Sequence, residues 1–136
     1  MKKLVKILLP IIALTSISAC AFGGGTISKS NATEIGASYT LKSNSIKYTV
    51  LKCNGDITYT FNVKESDALN IAAKIDLSLG ALTITLKNEE DEELYKDIVI
   101  ESCVYDIPLE EYGKYNLLVH HDDFKGTYNF NWSNKK

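Results

Sequence analysis

Apolar residues recur at every second position through most of this chain, a period that admits β-strands and argues against helices over the same stretches. Ile46, Tyr48 and Val50 alternate with polar residues, as do Ile57, Tyr59, Phe61 and Val63. The pattern continues through Leu69, Ile71, Ala73, Ile75 and Leu77, then Leu82, Ile84 and Leu86. Ile98 with Ile100, Tyr105 with Ile107, Tyr115 to Val119, and Tyr128, Phe130 and Trp132 complete it. Side chains on a strand point alternately to its two faces, so each run reads as a strand with one buried side. A helix over Ser66 to Asp76, favoured by its alanines and Leu69, is the competing reading; the alternation there argues for strand.

Turn chemistry sits between the runs. Asn54-Gly55 reads as a two-residue hairpin, because both residues tolerate positive φ. Ser78-Leu79-Gly80 separates two further runs, Asn88 to Glu93 forms an acidic hairpin loop, and Pro108 ends a strand ahead of a turn at Glu110-Glu111-Tyr112-Gly113. His121 to Gly126 joins the last two strands, which are expected to pair with each other. The expectation is an all-β antiparallel sandwich of about eight or nine strands, immunoglobulin-like or jelly-roll.

The N-terminus carries a different signal. Lys2, Lys3 and Lys6 precede an uncharged, mostly apolar stretch from Ile7 to Ile17, the order of a secretory n-region and h-region. That stretch is too short to cross a bilayer as a helix. Ile17-Ser18-Ala19-Cys20 follows and resembles the lipobox of bacterial lipoproteins: an aliphatic residue, two small residues, then cysteine. The resemblance implies a thioether-linked diacylglyceryl group on Cys20 and cleavage just before it, so that residues 1–19 form the signal peptide. Two or more acyl chains hold a protein stably to a membrane without spanning it. The implied location is the extracytoplasmic side of the cell membrane, and lipid is the only covalent group expected.

Cleavage removes three of the fifteen lysines and leaves twelve against seventeen carboxylates, a net charge of −5. An acidic domain without a single arginine offers no footprint for nucleic acid and no bidentate forks for phosphate. Residues 20–33, rich in glycine and small polar residues, read as the lipidated cysteine followed by a flexible tether, with the β-domain spanning 34–136.

Few side chains carry the pattern of a chemical site. With Cys20 lipidated, Cys53 and Cys103 remain either as a disulfide pair outside the cytoplasm or as two buried thiols. His120, His121, Asp122 and Asp123 form the one cluster with metal-ligand chemistry; a regular strand would send the two histidines to opposite faces, whereas a loop could bend them together. The acid run from Glu89 to Glu93 lacks the spaced glycine geometry of calcium loops and reads as a solvated hairpin tip. Most tyrosines fall on the apolar side of a strand, leaving Tyr95 and Tyr112 beside loops. No serine elbow, paired metalloprotease histidines or nucleotide loop occurs.

The resulting expectation is a membrane-anchored, non-enzymatic surface module that binds an envelope protein or glycan. A small-ligand carrier for carbohydrate or a divalent metal is the alternative, and a hydrolase a third class. The anchor has a direct test: wild type is expected to incorporate a clickable fatty acid during growth and a Cys20→Ser variant none. Label retained by the variant overturns the assignment.

Overall fold

The computed structural model describes the backbone of residues 20–22 and 25–134, with side chains described from Thr26 onward. The signal segment 1–19 and the Cys20 side chain lie outside the described residues. Among the described residues there are eight strands, all paired antiparallel in one continuous ladder, and no helix. The strands are β1 (Cys20–Phe22), β2 (Gly25–Ile35), β3 (Ser38–Lys42), β4 (Ser45–Val63), β5 (Asn70–Asn88), β6 (Glu93–Val99), β7 (Cys103–Pro108) and β8 (Gly113–Asn131).

The three long strands β4, β5 and β8, each of 19 residues, are the frame. Each carries an irregularity near its middle: at 50–55 in β4, at 77–81 in β5, and opposite both in β8. There the ladder folds over into two leaves. Leaf A contains β3, the first half of β4, the second half of β8, the first half of β5, and β7. Leaf B contains β2, the second half of β4, the first half of β8, the second half of β5, and β6, with β1 outside β2. The last strand is therefore central in both leaves. In an immunoglobulin domain the last strand closes one end of a sheet, so the arrangement here is the jelly-roll one.

Burial explains how one sheet supplies both leaves. In β4, Ile46, Tyr48 and Val50 are buried, and beyond the irregularity Cys53, Ile57, Tyr59, Phe61 and Val63 are. The inward parity changes from even to odd. It changes likewise between Ile75 and Leu82 in β5, and between His121 and Phe124 in β8. A β-bulge sets two residues against one and so shifts the alternation by one position while the strand continues and bends. Each bulge keeps the same face of the sheet turned inward across the fold. The leaves then meet over a core in which Phe61 of leaf B stacks on Trp132 of leaf A with ring centroids 4.2 Å apart.

This corrects the hairpins read from the sequence. Asn54-Gly55, Ser78 to Gly80 and His121 to Gly126 are bulges inside continuous strands, not reversals. The segments expected to pair as the last two strands are two halves of β8. The glycines are there for close approach as much as for φ. Gly55 (φ +106) and Gly80 (φ +83) would each carry a Cβ 2.2 Å from a backbone oxygen, of Asn31 and Asp123 respectively. A reciprocal pair of hydrogen bonds locks the crease: the Asn54 amide donates to Asp123 Oδ1, and the Asp123 N–H donates to Asn54 Oδ1, both at 2.9 Å.

The tether expected over residues 20–33 is also revised. Residues 25–35 form β2, paired along β4 from Thr26↔Thr60 to Ile35↔Lys52. Composition misleads there because an edge strand needs little burial: Ile27 alone of β2 belongs to the buried core. Over 66–76, strand replaces the competing helix from Asn70 onward.

Each lateral opening of the sandwich is plugged by side chains. Between β2 and β3, Glu34 accepts hydrogen bonds from Lys29 Nζ (2.7 Å), Tyr39 (2.5 Å) and Tyr48 (2.6 Å). On the opposite side, Tyr95 of β6 stacks on Tyr105 of β7 at 6.0 Å. Alanine at Gly80 cannot be housed without moving the β8 backbone. A Gly80→Ala variant is expected to lose about 3 kcal/mol in urea unfolding. Gly113→Ala, where nothing lies within 4 Å of the new Cβ, is expected to lose only about 1 kcal/mol.

Candidate functional site

The residues singled out from the sequence are dispersed by the fold. His120 and His121 do point to opposite faces of β8. His120 is exposed on the outer face of leaf B, its Nδ1 2.7 Å from Asp56 Oδ1. His121 is buried at the crease, its Nδ1 3.0 Å from the Gly55 carbonyl and its Nε2 3.0 Å from the Tyr128 hydroxyl. Asp123 is occupied with Asn54, in a left-handed conformation (φ 49). The four residues whose chemistry would allow a metal cluster are thus not brought together, and no group of three or more metal-ligating side chains occurs among the described residues.

The two cysteines are free. Cys53 lies on β4 opposite Phe124, and Cys103 on β7 opposite Ile75. Strands β8 and β5 separate them, three ladder spacings of about 4.8 Å, well beyond a disulfide's reach of about 7 Å between Cα atoms. Of the two arrangements left open by the sequence, a disulfide or two buried thiols, the thiols are unpaired, with Cys53 buried and Cys103 half-buried. Burial pushes both thiols above their ordinary pKa, and for Cys103 the neighbouring Asp97 and Glu101 add to it.

His121 anchors a buried polar chain. Its Nδ1–H donates to the Gly55 carbonyl, which leaves Nε2 to accept from Tyr128; Tyr128 in turn lies 2.7 Å from the Tyr59 hydroxyl. Burial depresses its pKa from 6.5 to about 4. A proton on Nε2 would face the Tyr128 hydroxyl that donates to it. At Glu34, burial works to raise the carboxyl, but the hydrogen bonds from Lys29, Tyr39 and Tyr48 outweigh it and hold the pKa below normal. These groups are structural: they join the leaves and offer no opening to a ligand.

A cleft opens to solvent at the end of the sandwich away from the crease. It has a volume of about 420 Å³ and sits between the β5–β6 loop and the β7–β8 loop. Glu89, Glu90, Glu92, Glu110 and Glu111 line it, with Asn88, Lys114 and the half-exposed ring of Tyr112. The loops are built to hold this shape. Asn88 Oδ1 accepts from the N–H groups of Glu90 (3.0 Å) and Glu92 (2.9 Å), making a tight Asx turn. Tyr115 donates its hydroxyl to the Glu111 carbonyl at 2.5 Å, and Leu109 buries its side chain beneath the second loop. In the sequence the two acidic loops read as separate turns. Tyr112 beside its loop was the one visible hint, because nothing local says that two loops share one end of a jelly-roll.

Neither a protein-family model nor a curated protein matches the chain. Solved structures do resemble it in shape at low identity. CsCBM6-3 from Clostridium stercorarium, in complex with cellobiose, is 12% identical with a TM-score of 0.41, over 76% of this chain and 84% of that one. Xylanase10C from Cellvibrio japonicus, in complex with xylopentaose, is 10% identical with a TM-score of 0.42; 86% of this chain matches, but it spans only 28% of the xylanase. CENP-C from Drosophila melanogaster is 11% identical with a TM-score of 0.37, over 96% and 94%.

The buried histidine gives stability a defined pH dependence. Because its folded pKa lies below the unfolded value, the unfolded state binds the proton first as pH falls. Unfolding free energy is expected to be flat near pH 7 and to drop by about 3 kcal/mol between pH 6.5 and 4, with the loss from Glu34 following below 4.5. Urea unfolding across pH checks it, and His120→Gln, at an exposed ring, is expected to leave the drop intact.

Proposed function

We propose that this protein is a lipid-anchored, extracytoplasmic binding module that takes a carbohydrate ligand without catalysis. The observation that carries the reading is the end cleft, which an exposed aromatic residue and a set of hydrogen-bond acceptors line together. A sugar offers hydroxyl donors around its rim and C–H groups on its faces. The carboxylates suit the first, and the Tyr112 ring suits the second. The tight loops support preorganisation, which lowers the ordering cost of binding.

The cleft's acidity narrows the ligand. Five glutamates and one lysine line it, so a neutral or amine-bearing glycan is favoured and a uronic or phosphorylated one disfavoured. The non-catalytic part of the reading rests on solvation. A glycosidase general acid needs a carboxyl kept protonated by an apolar pocket, whereas all five glutamates here are exposed. The anchor rests on the lipobox at Ile17 to Cys20 and on the preceding charged and apolar segments.

Isothermal titration with neutral and amino-sugar oligosaccharides tests the site. Saturable binding is expected, weakened at least about tenfold by Tyr112→Ala and unaffected by Ile98→Ala on the outer face of leaf B. Binding that survives Tyr112→Ala at full strength places the ligand elsewhere. Product release from any glycan would replace the module with a hydrolase.

A further inference from the structure

The mature chain's charge is unevenly placed. Residues 88–113, which carry β6, β7 and the loops at both of their ends, contain ten carboxylates and one lysine. Residues 20–63, which carry β1 to β4, contain four lysines and two carboxylates. Both of those carboxylates already have cationic or histidine partners: Glu34 with Lys29, and Asp56 with His120. Because β4, β8 and β5 lie between the flanking strands in both leaves, these segments occupy opposite lateral edges of the sandwich. One edge is strongly negative, and the other presents exposed Lys42 and Lys47, with Lys52 beside them in an exposed ion pair with Asp123 at 3.9 Å.

Two further features fall on the basic side. Ile35 and Leu51 are 61% and 58% exposed, and they are neighbours: Ile35 pairs with Lys52, while the chain at Gly36 packs against the Leu51 side chain. The backbone of Cys20 lies along this edge as well, in β1, opposite Ile27 of β2. With β1 and β2 both in the ladder, little free chain remains between Cys20 and the folded body. Ile27 and Ile35 stand eight residues apart on one strand, roughly 25 Å at the usual rise.

We infer that the β1–β2–β3 edge is the membrane-facing side of the domain and lies along a bilayer that contains anionic lipid. The inference rests on lipidation of Cys20. Lipid at one point of the edge and the Ile35–Leu51 pair at another define a line of contact. Lysines beside that line are attracted to anionic headgroups, and aliphatic side chains add contact with the acyl boundary. The carboxylates of the opposite edge are repelled, which fixes which way the domain lies. The glycan cleft belongs to that acidic side and so faces away from the membrane.

The test uses the wild-type, full-length lipoprotein on vesicles of phosphatidylcholine, with or without phosphatidylglycerol. Lysines are acetylated briefly and read by peptide mass spectrometry. On anionic vesicles Lys42, Lys47 and Lys52 are expected to react about fivefold more slowly than in detergent, with Lys96 and Lys114 unchanged. Leu51→Glu is expected to remove the protection while the protein stays anchored. Equal reactivity of all five lysines on floated vesicles, with lipid on Cys20 confirmed by mass, overturns the orientation alone. A chain that carries no lipid and does not float overturns both the anchor and the orientation.

Discussion

Everything in this molecule depends on the crease at which three long strands fold over together. A sheet that bends back on itself must keep one face inward throughout, yet a regular strand carried over a sharp fold would lose its pairing. The extra residue in each bulge resolves the conflict, since it bends the strand and shifts the alternation by one. The bulges must also lie at one level, because β8 pairs with both β4 and β5. That is why the crease is so crowded. Gly55 and Gly80 have a neighbouring backbone oxygen where a side chain would begin, and Asn54 and Asp123 tie two bulges to each other.

Folding over brings polar side chains of the two leaves into contact near the crease, and the core accepts them by giving each a partner. His121 spans Gly55 and Tyr128, Tyr128 reaches Tyr59, and Glu34 takes three donors. Buried polar groups are costly when left unmatched and directional when matched. Such a chain fixes how the leaves face each other more narrowly than aliphatic packing would. Glu34 also holds β2, a strand with one fully buried apolar residue, to tyrosines of leaf A. At the far end the work passes to stacked aromatics, Phe61 between Tyr115 and Trp132.

The period-two pattern made the strands legible, and the positions of the parity changes were legible too. Val50 to Cys53 and Ile75 to Leu82 are visible as slips in the alternation. What could not be read was their meaning. A hairpin and a bulge both interrupt the phase, and both recruit glycine with positive φ. They differ in the strand they face, which is a matter of register with residues 60 or more positions away, as between Gly55 and His121. The same limit governed the histidines. Their opposite orientations followed from adjacency on a strand, but the partners Asp56 and Tyr128 did not. The glycine-rich start failed for another reason: composition reports how flexible a free chain would be, and β2 is held by backbone pairing that composition does not record.

Net charge is a similarly incomplete descriptor. A value of −5 for the chain without residues 1–19 suggests a weakly acidic particle with little attraction for an anionic surface. The fold sorts the same charges, placing an acidic run of sequence on one lateral edge and the lysines of β3 and β4 on the other. An object so sorted has an electrical direction, and close to a charged bilayer direction matters more than the sum, because screening at physiological salt limits the field to about 8 Å. Only the edge nearest the surface takes part. Lysine rather than arginine suits that role, being a strongly hydrated point charge that interacts without demanding a fixed geometry. On the proposed reading, anchor and ligand site make opposite demands of one small domain, and the jelly-roll would meet them on opposite sides of the three strands that form the crease.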